Sequence, residues 1–522
     1  MNERSIKFIV LFLFFIIIIL PILNLFTSIF SIQLFYDSSA INSLVNSISF
    51  FYDPRLITIF ARTLVFAFGT AVLCLCMGVP IAFLFEKTNI PGKSFLRIIS
   101  YLPLLIPPYI STIAWMEFLG TRGDLIHLSL PFSIYNLHTA IIIMSLSMFP
   151  IVTLLTSLAI RNLDSKLEES ASLIASKKNI LSKITLPLIK PQILIAGFFV
   201  FILTLSEYGV PSMLRIHTYS KEIFSQFSSF FNLESAVILS LPLVLTAILL
   251  ITFYNFGLKD KSFVTISTNS NRKTNLLELS KLQKIAGLVF MISIIILAFF
   301  IPVTVLILES KLKLIEALIL AQNQIFNSLW LALIGAGLMT ISAFFIAYFS
   351  KNSKHADLFI LLPIAIPSSI LGISLIYFWN DPLSNLIYTT FIIIILGYLI
   401  QFLPFVIKTI SPFLSQISLS MEESAKIARA GFLRRILKIE LPLAKQGLIA
   451  GFVVGFVLCL RELGATLLIA PPGIQTLPCR IETLMHYGNA EMVSSLSIIL
   501  ILMILIPVVM LLLTKKELIS KI

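Results

Sequence analysis

Long uncharged apolar runs alternate with short polar stretches along the whole chain; 9–30, 64–85 and 493–513 are clear examples. About 20 apolar residues, each rising about 1.5 Å, cross a hydrocarbon core of about 30 Å. Each such run therefore predicts a membrane-spanning helix. The pattern predicts spans at 9–30, 64–85, 98–119, 140–158, 193–208 and 235–253, then at 285–308, 328–349, 358–379, 387–407, 449–469 and 493–513. The fold class is thus an all-α polytopic membrane protein of about twelve transmembrane helices. Trp115 and Trp379 fall at the outer ends of equivalent spans, where amphipathic rings favour the membrane interface. The first run is too long for a signal peptide, and no Ala-x-Ala site follows it.

Composition agrees with this pattern and narrows it. Hydrophobic residues make up 58% of the 522 residues and charged ones 12%; a soluble domain is about 45–50% apolar and about a quarter charged. The net charge of +13 does not point to nucleic acid, because the basic residues form no single block. They favour alternate loops and the two tails, from Arg4 and Lys7 to Lys515, Lys516 and Lys521. By the positive-inside rule those loops and both termini are cytoplasmic. Cys74, Cys76, Cys459 and Cys479 show no metal-ligand spacing across a loop.

Short motifs recur in order at an offset of about 255 residues. Leu-Pro-x-x-Ile-Pro occurs at 102–107 and 362–367, and Glu-Glu-Ser-Ala at 168–171 and 422–425. Leu-Pro-Leu follows at 186–188 and 441–443, then Phe-x-Leu-x-Leu-x-Glu-x-Gly at 201–209 and 456–464. The chain therefore carries an internal duplication: a first permease-like half at 1–258, a polar cytoplasmic linker at 259–284 and a second half at 285–522. An even number of spans per half gives both copies the same orientation, related by an axis along the membrane normal with a pathway between them. The linker is too short to hold a nucleotide-binding domain.

Each half has a long cytoplasmic loop with the same plan. Glu168, Glu169, Ser170 and Ala171 precede Leu186 and Pro187; Glu422, Glu423, Ser424 and Ala425 precede Gly431, Leu441 and Pro442. The acids stand in the first turn of a short helix, where they favour its positive end, and Pro442 predicts a break. Such a helix either docks in a partner groove or lies on lipid headgroups. Its duplication favours docking, since two equivalent helices suit a two-fold partner.

Glu-Glu-Ser-Ala followed about twenty residues later by Leu-Pro resembles the EAA loop of bacterial binding-protein-dependent ABC transporter permeases. Two copies in one chain resemble the fused permeases of the iron(III) importer type, with thiamine-type permeases a close second. The sequences around Glu207 (Ser206 to Pro211) and Glu462 (Arg461 to Thr466, with Pro471, Pro472 and Gly473) are similar to the iron type too. The resemblance implies two ATP-binding cassette subunits docked on the cytoplasmic side and an extracytoplasmic solute-binding protein. It implies a multi-pass location in the bacterial inner membrane and ATP hydrolysis in a partner chain. Family members carry a Gly several residues after the Glu. The first loop has none through Pro187, and the second has Arg429 near that place with Gly431 beyond it.

Glu207 and Glu462 are matched acids within apolar surroundings, where a charge is costly and faces protein or water. They are pathway candidates, or they pair structurally. Arg461 adjoins Glu462, but neighbours on a helix point about 100° apart, so no bridge between them is expected. Pro103, Pro107, Pro108, Pro363 and Pro367 mark either gates or packing kinks. Gly92-Lys93-Ser94 lacks the upstream Gly and the strand of a phosphate-binding loop. The five histidines are scattered, and no catalytic cluster, metal site or cofactor motif emerges; the chain is not expected to be an enzyme. The rival reading is a six-plus-six secondary transporter driven by an ion gradient, which shares the size and the parallel repeats.

Overall fold

The computed structural model describes residues 3–25, 27, 53–120, 133–163, 165–253, 279–351, 360–380 and 385–514. Most of the linker expected at 259–284 lies outside them. No β-strand occurs among the described residues; the protein is all-α. Nine of the described helices are long and apolar enough to cross a membrane. A bent pair, Lys93–Leu105 with Pro108–Leu119, adds a tenth, and the shorter apolar helices Ser235–Leu249 and Ser368–Trp379 stand at the sixth and ninth expected spans.

The third span is broken at the prolines that interrupt its apolar run. Its two parts meet at 92°. A 3-10 turn at Leu102–Leu105 ends at Ile106, which is extended (φ −84°, ψ 123°), and the helix restarts at Pro108. A residue before proline is driven out of the helical region, and Pro107 also removes a backbone donor. The second copy repeats the break: a 3-10 turn at Leu362–Ala365, extended Ile366 (φ −101°, ψ 128°), then Ser368–Trp379. These prolines therefore fix a corner in each copy. The restarted helix runs inward, so Trp115 is buried against Phe118 rather than placed at a lipid interface.

Other prolines are absorbed without a break. Four π-helical turns, Phe15–Ile19, Leu181–Thr185, Ile296–Phe300 and Ile436–Glu440, each lie directly before an X-Pro step. In each, the residue before the proline bonds five positions back, as Leu186 N–H does to the Leu181 carbonyl. The wider turn takes up the clash and the missing donor that a proline brings to an α-helix. Pro442 thus does not end a helix, contrary to the sequence expectation: Phe432–Arg461 runs through it, and Lys177–Leu205 runs through Pro187.

The same packing occurs twice. Pro54–Lys87 packs on Leu137–Arg161 and Leu186–Leu205, and Gln322–Ser350 packs on Ile392–Ser415 and Leu441–Arg461. On one side, the hydroxyls of Thr63 and Ser328 each accept the N–H that opens a short later helix, Tyr219 at 2.8 Å and Leu477 at 2.7 Å. The opening helix of each copy crosses over to the other. Glu3–Phe14 packs on Gln322–Ser350, while Lys281–Ile295 packs on Pro54–Lys87 and Ile301–Glu309 on Pro108–Leu119.

Candidate coupling loops and central cavity

The Glu-Glu-Ser-Ala segments form short helices, Ser165–Ser172 and Leu419–Ile427. In each, the two glutamates have opposite fates. Glu168 is buried: Lys87 Nζ donates to its two oxygens at 2.7 and 2.5 Å, and the Thr185 hydroxyl donates to Oε1 at 2.7 Å. Lys87 ends one spanning helix and Thr185 stands just before Pro187 in the next. One carboxylate thus ties the loop helix to both. Glu422 does the same with different partners. Tyr348 Oη donates to its Oε1 at 2.6 Å and Arg435 Nη1 at 3.0 Å, with Lys426 Nζ 3.5 Å away. Burial pushes the Glu422 carboxyl up, but the Tyr348 hydroxyl and the charges of Lys426 and Arg435 outweigh it and hold the group below its ordinary value. A lowered carboxyl stabilises above its unfolded pKa and loses that contribution as pH falls through the folded one, so the tether is intact at neutral pH.

The second glutamates, Glu169 and Glu423, are exposed, as are Ser170 and Ser424, while Ala425 is buried. Around them Leu173, Ile174 and Ile427 are 85%, 91% and 83% exposed. Pro187 and Pro442 are exposed as well, with Leu186 exposed and Leu441 partly so.

Gly431 occupies no glycine-demanding position. It is extended (φ −60°, ψ 160°) at the N-cap of the next helix, and Ser176 takes the same role in the first loop (φ −67°, ψ 151°). The first loop, which lacks a Gly, has no residue of positive φ among the described residues 165–187 and so no position that requires one. The left-handed residue is Arg429, φ 56°. It closes a Schellman turn, with Ala430 N–H on the Ala425 carbonyl at 3.0 Å and Arg429 N–H on Lys426 at 2.9 Å. A side chain in that region costs about 1 kcal/mol or more. Arg429→Gly is expected to stabilise the full chain by about 1 kcal/mol, read as a higher unfolding temperature in nanodiscs; a lower one would contradict this turn.

A cavity of about 570 Å³ lies between the two copies. The corners of both broken spans line it, through Leu104 and Pro108 on one side and Pro363 and Ser368 on the other; Glu207, Arg461 and Glu462 complete the wall. Each Glu caps the start of a following short helix. Glu207 Oε1 accepts from Gly209 N at 3.0 Å and Val210 N at 3.3 Å; Glu462 accepts from Ala465 N at 2.7 Å and Thr466 N at 2.9 Å. The glycine of the repeated Glu-x-Gly is required by close approach. A Cβ on Gly209 would stand 2.9 Å from Tyr109 Cβ, and one on Gly464 would collide with Ser368 Oγ. Arg461 turns away from Glu462, and its Nη1 donates to the Leu104 carbonyl of the other copy at 2.6 Å.

Sequence reasoning missed Lys87, Thr185, Tyr348 and Arg435. A basic or aromatic residue at the end of an apolar run is too common to single out. Among the described residues no group of His, Cys, Asp and Glu is placed to hold a metal ion.

Residues 343–516 match the family of binding-protein-dependent transport system inner membrane components. The match covers the last third of the chain, within an all-helical polytopic fold of the kind that a multi-pass transport permease has. The chain is similar to the Fe(3+)-transport system permease protein FbpB 2 of Haemophilus influenzae, 28% identical over 83% of this chain and 85% of that protein. It is also similar to the putative 2-aminoethylphosphonate transport system permease protein PhnV of Salmonella typhimurium, 31% identical over 33% of this chain and 63% of the relative. The molybdenum transport system permease protein ModB of Escherichia coli is 31% identical over 25% of this chain and 60% of its own length. These last two are matched over less than two thirds of their length. A permease of this class works generally with a solute-binding protein and an ATPase.

Proposed function

We propose that the chain is the transmembrane permease subunit of an ATP-driven iron(III) importer, built as two permease halves at 1–258 and 285–522 joined by a cytoplasmic linker. Two ATPase copies dock on the paired loop helices, both termini are cytoplasmic, and a solute-binding protein delivers cargo from outside. The observation that carries this reading is the repeated loop helix, tethered by its first glutamate and presenting its second glutamate beside exposed apolar side chains. Anchors of that kind, in two equivalent places, suit the groove of a two-fold partner. The likeness to an Fe(3+) permease along most of the chain supports iron(III) as cargo.

The tether also explains how force passes. Movement of a docked loop helix pulls on Lys87 and Thr185, or on Tyr348 and Arg435, at the ends of spanning helices. Those helices carry it toward the cavity walls. Iron(III) uptake by vesicles holding the chain with its ATPase and binding protein is expected to need ATP and to survive an uncoupler. Uptake that persists without ATP and collapses with the uncoupler would instead favour a gradient-driven carrier.

A further inference from the structure

The two cavity glutamates occupy the same place in the repeat, yet only one is closed. Glu462 Oε1 takes the Ala465 N–H, and Oε2 takes both the N–H and the hydroxyl of Thr466. Both oxygens are used, and the residue is 4% exposed. Glu207 spends Oε1 on Gly209 and Val210. Its Oε2 has no hydrogen-bond partner among the described residues, and the side chain is partly exposed on the cavity wall. One difference between the repeats accounts for this: Pro211 stands where the second copy has Thr466. Proline has no N–H and no hydroxyl, so neither donor that closes Glu462 exists for Glu207.

An open carboxylate oxygen inside a largely apolar cavity is expensive. Two other lining residues, Tyr109 and Gln401, also carry an unpartnered oxygen, but both of those atoms are sealed from the cavity space. Carboxylate and carbonyl oxygens are the ligands that hard cations take. We propose that Glu207 is the carboxylate that touches a cationic metal cargo in transit, and that Glu462 is its closed structural twin. The assignment rests on the metal-importer reading above and adds which residue meets the cargo. A single open carboxylate makes a weak contact, and Arg461 on the same wall opposes a bound cation. Passage needs that weakness, since cargo must leave as well as enter.

Tb³⁺, a hard trivalent ion with a luminescent readout, is the probe, titrated onto the full chain in nanodiscs of zwitterionic lipid. Glu207→Gln and Pro211→Thr are each expected to weaken binding at least tenfold, and Thr466→Val to leave it within twofold. Pro211→Thr copies an arrangement that the other repeat already folds, so it keeps the test sharp if Glu207→Gln folds poorly. Wild-type Tb³⁺ binding by Glu207→Gln, or equal losses in Pro211→Thr and Thr466→Val, would overturn the assignment. Vesicle uptake is scored separately. Loss of Tb³⁺ binding in Glu207→Gln together with no iron(III) uptake by the wild type would sink the cargo reading alone.

Discussion

Lys87→Met is expected to destabilise the first loop by about 3–5 kcal/mol, the cost of leaving a buried carboxylate without its ionic partner. Glu168 would keep only the Thr185 hydroxyl. The loss should be local at first, because the loop helix is a surface element held by few contacts. Hydrogen exchange across 165–172 should accelerate on the full chain before the spanning helices open. A second variant separates charge from shape. Lys87→Met combined with Glu168→Leu removes both partners and should recover most of the stability, since an apolar pair avoids the desolvation that the ion pair must offset. Equal exchange rates in Lys87→Met and the wild type would show that Glu168 is not the tether.

Glu169→Lys with Glu423→Lys is expected to release the ATPase while leaving the fold intact. Both side chains are exposed, so a reversed charge costs the permease itself little. Interface positions beside apolar anchors are worth about 2 kcal/mol when disrupted. Two equivalent docking points then give roughly a hundredfold or greater loss of association, because about 1.4 kcal/mol is a factor of ten. Either single change should cost less, since the remaining contact holds the partner close. Co-purification of the ATPase with the permease in detergent reads the effect. A double variant that still holds its ATPase at wild-type ratio would remove these helices from the coupling role.

How far the sequence went depends on whether the decisive contact is local. The apolar runs, the repeat and the paired glutamates are local or periodic signals, and the described helices stand near where those signals put them, except that the fifth and eleventh spans begin at Lys177 and Phe432, inside the expected loops. Which glutamate of a pair turns inward is not local: the partners Lys87 and Tyr348 lie 81 and 74 residues away. The prolines at 103, 107 and 108 marked the place of the corner as a gate or a kink, but not its size, because the same residues fit a mild bend as well as one of 92°. Pro442 misled for the opposite reason. A π-turn absorbs the proline, and nothing in the residue pattern separates that outcome from a helix end. At Glu207 and Glu462 the sequence showed two matched acids. The difference between them came from the third dimension, which put Pro211 and Thr466 beside their carboxylates.

The exchange of opening helices has a consequence for how this molecule holds together. Glu3–Phe14 rests on Gln322–Ser350, and Ile301–Glu309 rests on Pro108–Leu119. Each copy thus clasps its sibling by the arm. Two fragments severed between those arms and produced in one cell should still find each other, because neither can cover its own apolar flank. What the peptide link supplies is a fixed one-to-one pairing of unlike siblings, and with it a single open oxygen at the centre rather than two or none.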